Sequence, residues 1–191
     1  MSDSQDDASH WVKVLGGDAA SFGVLFDRHG DRVFRHAMYQ LGNREDAEDA
    51  VASAFLELWR RRSRVRVSNG SILPWLLVTT TNLSRNLSRA RRRYRELLTR
   101  LPRESQSPDD TEELVRRRLD AQHDLSVAAP ALARLSATDR ALLTLTTVEE
   151  LPIADVAVAL GISEGAARVR LHRVKSRLRD QVSAARNEVD S

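Results

Sequence analysis

The side chains with the most chemical reach in this 191-residue chain are arginines and acids, and they are sorted into blocks. Of 30 basic residues only Lys13 and Lys175 are lysine, which leaves 28 arginines. A guanidinium is planar and always charged, and it grips phosphate oxygens or base edges with paired N–H donors. Residues 60–66 hold five arginines and no acid, and residues 85–100 hold seven against Glu96. Residues 161–180 carry six basic residues and two acids, whereas residues 103–124 reverse the sign with four arginines and seven acids. The net charge of +3 is thus what remains of strongly basic patches offset by acidic stretches. Single-sign blocks of this kind suit a polyanionic partner, although a preference for arginine codons explains part of the surplus.

Other chemistry is poorly provided for. The absence of cysteine excludes disulfides, thiolate metal sites and cysteine nucleophiles. His10, His29, His36, His123 and His172 show no metal-ligand spacing. There is no Gly-rich phosphate loop, no nucleophile elbow and no carboxylate pair in an apolar setting. The expectation is a protein that is not an enzyme, with no catalytic residues, no metal and no cofactor. The longest apolar run, residues 72–78, has 7 residues, against the ~20 a spanning helix needs. Residues 1–10 are acidic and polar, unlike a secretory signal. A cytoplasmic protein without membrane insertion is expected.

The elements that must hold these side chains are helical, because strand alternation is nearly absent. The first candidate helix spans 19–41, with Phe22, Leu25, Phe26, Val33, Phe34 and Ala37 on one stripe and Gly30 as a candidate break. Gly42 ends it and Asn43 can cap the next helix, 45–62. That helix buries Ala47, Val51, Ala54, Phe55 and Leu58, with acids in its first turn and arginines in its last, both favourable to its dipole. A loop over 65–73 contains the turn signal Asn69-Gly70-Ser71. Pro74 then opens a helix that runs into the arginine-rich block.

Toward the C-terminus the pattern is helix, glycine turn, helix. Residues 153–160 form a short apolar helix, Gly161 supplies a left-handed turn, and Ser163 can cap the helix that follows. Ala157 is small where two helices must cross closely. This is helix-turn-helix spacing, in which the second helix lies in the DNA major groove. Ala167, Leu171, Val174 and Leu178 should face the core, which turns Arg168, Val169, His172 and Arg173 outward. Arg168 and Arg173 can hold guanine edges or phosphates, and the sequence does not separate these roles.

Taken together, these residues resemble a known family. Residues 46–51 (DAEDAV) followed by 55–60 (FLELWR) are similar to the core-polymerase-binding helix of bacterial sigma factors. Residues 74–77 (PWLL), then Asn82 and the arginines of 89–93, resemble that family's −10 promoter element reader. Residues 151–179 resemble its −35-reading helix-turn-helix, and the compact spacing is similar to the extracytoplasmic-function (ECF) group.

The resemblance implies a sigma factor that binds core RNA polymerase at its beta-prime clamp, selects promoters and helps open the −10 element. It places polymerase contact on Asp46, Asp49, Ser53 and Leu56. Ala52 and Ser53 stand where the family usually has Gln-Glu, a departure that removes two polar contacts. It assigns −10 DNA contact to Asn69, Trp75, Asn82, Arg85, Arg89, Arg92 and Arg93, with Asn82 reading a flipped base through an amide that both donates and accepts. The −35 duplex falls to Ser163, Arg168, Val169, His172 and Arg173. Val169 replaces a small polar residue, so it can touch a thymine methyl but cannot hydrogen-bond. An anti-sigma factor is a partner this group commonly has.

The implied architecture is all-α, two small helical domains joined by a flexible linker. A polar N-terminal extension covers 1–18, region 2 covers 19–98, a linker 99–129, region 4 130–183 and a C-terminal tail 184–191. The alternative reading is a free-standing helix-turn-helix regulator that works without polymerase.

Overall fold

A computed structural model describes residues 3–98 and 135–189. The expected linker, 99–129, and the expected start of region 4 at residue 130 lie outside these. Chain order gives α1 (Asp3–Leu15), α2 (Ala19–Leu41), α3 (Arg44–Arg61), a 3-10 turn (Arg62–Arg64), α4 (Leu73–Leu98), α5 (Ala137–Thr147), α6 (Ile153–Leu160) and α7 (Glu164–Val189). All of the named elements are helical.

The helix ends follow local chemistry. Asp18 caps α2 by accepting from the Ala20 and Ser21 amides at 3.1 and 3.3 Å. Gly42, at φ 65°, lets the chain leave α2 through the left-handed region, and Asn43 caps α3 at once. Ser136 caps α5 and Ser163 caps α7 through the Ala166 amide. Gly30 does not break α2, which is continuous from Ala19 to Leu41.

Leu25, Val33, Ala37, Ala54, Leu58, Leu76 and Leu77 are fully buried where α2, α3 and α4 meet. Removing each leucine side chain from water contributes about 1.5–3 kcal/mol. Phe22 stands edge-on to both Phe55 and Trp59, at 6.1 and 5.2 Å between ring centres, and the Arg62 guanidinium lies over the Trp59 ring, 4.7 Å from its centre. In the C-terminal half Leu142, Leu145, Val156, Ala157, Ala167 and Val174 close a smaller core.

Three features lie outside the sequence reading. Residues 3–15 form a helix rather than a polar extension, with Trp11 and Val14 buried. The acid that makes this segment look solvated, Asp7, is itself fully buried. Its carboxylate accepts from Arg28 and His29, both at 2.7 Å, and from Ser71 at 3.1 Å. Those partners lie 21 to 64 residues away, so no local pattern reveals them. Second, the two halves are in contact, with α5 and α6 packed directly on α4. Also, α7 continues to Val189, past the boundary expected at 183.

Candidate nucleic-acid interface

The turn 65–73 is built by two left-handed residues, Asn69 (φ 49°) and Gly70 (φ 76°), closed by paired backbone bonds between Ser68 and Ser71 at 2.9 and 3.2 Å. An Asn-Gly pair is the usual way to form so tight a reversal, because asparagine and glycine tolerate positive φ. The turn therefore carries the Asn69 side chain at its tip. Ser71 holds its base, donating to Asp7 and accepting from the Leu73 amide at 3.2 Å.

Beyond the turn, α4 carries Trp75, Asn82, Arg89 and Arg93 at intervals of seven, seven and four residues, with Arg85 three residues after Asn82. Such spacing keeps them along one side of the helix for about 27 Å. Asn82, Arg89 and Arg93 are exposed, Arg85 is half-buried, and Trp75 is partly buried against the core. Arg92 has no described side chain. The stripe joins an amide to a row of cations, suited to a base edge followed by backbone phosphates.

The second basic surface lies on α7. Ala167 and Val174 are buried and Leu171 is half-buried, so Arg168, Val169, Arg170, His172 and Arg173 face solvent. Val169 is 50% exposed. Ser163 is exposed, with its oxygen engaged at the cap. Arg168 donates to Glu164 one turn earlier at 3.0 Å, and Arg170 donates to Asp139 of α5 at 3.3 Å. Exposed pairs of this kind are worth under about 1 kcal/mol and yield readily to a phosphate.

A third exposed face, on α3, carries acids, with Glu48 paired to Arg44 at 2.7 Å. Asp49, Ser53 and Leu56 are exposed on one face of α3, and Leu56 is 56% exposed. Asp46 is placed differently: it is buried, it accepts from Arg91 of α4, and its amide bonds the Asn43 cap. Its carboxylate ties α3 to α4. Beside α3 runs an open groove of about 410 Å³ between α2 and α3, lined by Phe26, Asp27, Gly30, Asp31, Phe34 and Glu48 among others. Phe26 is 43% exposed rather than buried as its place on the core stripe suggested. Its ring lies 3.9 Å from where a Cβ on Gly30 would stand, so the glycine leaves the groove floor open. The acids Asp27 and Asp31 were missed by the sequence reading. Their signal was available: they repeat at i, i+4 beside Phe26, Gly30 and Phe34.

Between the halves lies a buried polar contact. Asp155 on α6 is 7% exposed, and one of its oxygens accepts from Ser68 Oγ and Asn69 Nδ2, both at 2.6 Å. Glu149, in the turn after α5, accepts from His36 Nδ1 at 2.8 Å and Arg32 Nε at 3.2 Å, while Arg32 also donates to the Glu149 carbonyl at 2.7 Å. The hydrogen bond from His36 holds the Glu149 carboxyl below its ordinary range against the opposing effect of burial, and the charges of His36 and Arg32 add to it. Arg140 of α5 sits near Arg85 and Arg89. Burial, then those two positive charges, lowers its affinity for its proton.

Among the described residues no cluster of histidine and acid side chains could hold a metal ion, and no helix is long and apolar enough to cross a membrane.

With this geometry in hand, known proteins are informative. The Sigma-70 region 2 family profile matches residues 25–94, and Sigma-70, region 4 matches residues 130–178. The chain is 32% identical over 182 residues to ECF RNA polymerase sigma factor SigE of Mycolicibacterium smegmatis, covering 92% of this chain and 67% of that protein. It is 30% identical over 176 residues to RNA polymerase sigma factor CarQ of Myxococcus xanthus, covering 91% of this chain and 95% of the relative. In fold it is similar to CnrH, solved in complex with the cytosolic domain of CnrY, with a TM-score of 0.58 and 21% identity over 94% of this chain and 98% of that one. Region 2, region 4 and full-length relatives agree, and the chain belongs to the ECF group of RNA polymerase sigma factors.

Proposed function

We propose that this sigma factor docks core RNA polymerase through the acidic, aromatic face of α2 and α3, reads the −35 duplex with α7, and captures the −10 strand with the 65–73 turn and the α4 stripe. The observation that supports this best is the segregation of charge within region 2. Asp27, Asp31, Glu48 and Asp49 gather on α2 and α3, with Arg44 beside them paired to Glu48 and lying over the Phe34 ring, whereas Arg85, Arg89 and Arg93 line α4. A surface with that acidity repels DNA, and its exposed Phe26 and Leu56 suit a basic protein helix with apolar side chains between its cations. The beta-prime clamp is the expected partner.

Within that scheme Asp49, Ser53 and Leu56 make the polymerase contact, and Asp46 acts indirectly by joining α3 to α4. Asn82 reads a base, Asn69 and Trp75 border its pocket, and Arg85, Arg89, Arg92 and Arg93 hold phosphates. On α7, Arg168 and Arg173 grip the −35 duplex, Val169 meets a thymine methyl, His172 flanks them and Ser163 positions the helix start. Region 2 then corresponds to residues 19–98 and region 4 to 130–183. The protein works in the cytoplasm, where polymerase is, and without catalysis of its own. CnrH carries a bound partner, the cytosolic domain of CnrY. An anti-sigma partner is proposed for this chain by that analogy.

A free-standing regulator has no use for the α2–α3 face, which gives the test. Leu56→Asp should weaken binding to core polymerase at least tenfold while −35 duplex binding stays within twofold. Unchanged polymerase binding would overturn the docking assignment.

A further inference from the structure

Helix α1 lies ahead of residues 25–94, where the region 2 profile matches, yet its buried Asp7 reaches the base of the 65–73 turn. The carboxylate is oriented before it meets the turn. Oδ1 accepts from Arg28 and Oδ2 from His29, both at 2.7 Å and both from α2. Ser71 Oγ is a third donor, onto Oδ2 at 3.1 Å. Holding α1 in place does not call for that third bond. The Arg28 guanidinium balances the charge of Asp7, and Trp11 and Val14 are buried along the same helix. The effect of the Ser71 bond therefore falls on the turn.

Ser71 occupies a junction. Its backbone exchanges two hydrogen bonds with Ser68, which close the turn, and its hydroxyl accepts from the amide of Leu73, the first residue of α4. Ile72, between the two, is fully buried. The hydroxyl is thus used in both senses, as donor to α1 and as acceptor for α4. Asn69 stands two residues before Ser71 and Trp75 four residues after it, so one serine lies between the two borders of the base pocket. A reversal closed this tightly passes a shift at Ser71 on to its tip. Side chains that select a base must be held within about 0.5 Å of their productive geometry by the groups behind them. We propose that Asp7 and Ser71 are positioning residues for −10 reading. Through their bond α1 seats the turn and sets how sharply the pocket selects a splayed base of the opened strand. The inference rests on the −10 role proposed above for the turn.

The test uses the full chain bound to core polymerase and a random pool of single-stranded DNA. The bound fraction is sequenced, and enrichment is taken relative to core polymerase alone. Wild type should enrich particular bases, and Asn69→Ala should flatten the enrichment at a pocket position about tenfold. Ser71→Ala should flatten the same position about fivefold, with polymerase binding kept within about twofold. Ser71→Thr keeps the hydroxyl and should restore the enrichment. Asp7→Asn, which removes the charge and keeps the shape, should flatten that position too. The double variant Asp7→Asn, Ser71→Ala should be no worse than Ser71→Ala alone, because both substitutions cut one contact. A loss of stability alone would lower binding of all sequences alike, and a loss of the α4 cap alone would multiply with the effect of Asp7→Asn. If Asp7→Asn does not fold, Trp11→Ala loosens α1 with the carboxylate intact and should flatten the same position. Wild-type enrichment in Ser71→Ala, with Asn69→Ala flattened, overturns the inference alone, and so do multiplicative effects in the double variant. Wild-type enrichment in Asn69→Ala overturns the −10 reading of the turn and the inference with it.

Discussion

The two DNA-facing surfaces use similar side chains and are held in opposite ways. On α7 the described arginines Arg168, Arg170 and Arg173 are exposed, and Arg168 and Arg170 pair at the surface with Glu164 and Asp139. The 65–73 turn is gripped from both sides by buried carboxylates, Asp7 beneath it through Ser71 and Asp155 above it through Ser68 and Asn69. Solvated pairs are worth little and exchange freely, whereas a buried carboxylate that loses its partners is costly. Region 4 therefore presents a surface ready for duplex, and region 2 a surface whose shape and availability are set by the rest of the chain.

The sharpest way to break this contrast is at Asp7. Replacing Asp7 by Ala leaves Arg28 and His29 without their buried partner and should destabilise region 2 by about 3 kcal/mol. In thermal unfolding the loss should appear with region 4 intact, as judged by unchanged −35 duplex affinity. A Tm within one or two degrees of wild type would show that α1 is dispensable.

The next effect is on the open surface. Arg173→Ala should weaken −35 duplex binding by about 1–3 kcal/mol and leave polymerase binding unchanged. Titration at several salt concentrations checks it, because loss of a phosphate contact lowers the salt slope by about one, whereas loss of a base contact does not. The same duplex affinity in both proteins would remove Arg173 from the interface.

The smallest effect is on pH. Glu149 has a lowered pKa in the packed form, so its contribution is fully present above its ordinary value of 4.5 and is lost as pH falls through the lowered value. Asp7 is lowered from 3.8 in the same direction, with hydrogen bonds from His29 and Arg28 and the His29 charge outweighing the larger single effect of burial. Acid should then loosen the interdomain contact and the α1 anchor, and hardly affect α7, whose surface pairs have little stability to lose. Interdomain distances recorded from neutral pH down to about pH 3 check this. A contact that tightens as pH falls would reverse the sign.

Much of the fold was legible because its signals are local. Gly42-Asn43, Asn69-Gly70 and Gly161 with Ser163 announce chain reversals and caps within a few residues, and the structure has a turn or helix end at each. The exposed face of α7 followed from the spacing of Ala167, Leu171 and Val174. The parts that were not legible depend on partners far along the chain. Asp7 reads as a solvated acid until Arg28 and His29 neutralise it, and Asp46 reads as a free helix-start acid until Arg91 arrives from α4. Asp155 looks like an ordinary first-turn acid of a short helix, and nothing nearby says that Ser68 and Asn69 will meet it. Phe26 was misplaced for a related reason: a helical stripe shows which residues share a face, and only packing shows where the core ends and a groove begins.

The central claim is that one chain directs polymerase to promoters through two separately held DNA surfaces. Mapping the 5′ ends of transcripts made by core polymerase on genomic DNA, with wild type and with Asn82→Ala, tests it most directly. The account predicts discrete wild-type start sites sharing a −35 and a −10 sequence, and about tenfold fewer transcripts with relaxed −10 preference for the variant. Start sites no different from core polymerase alone, or identical for wild type and Asn82→Ala, would contradict it.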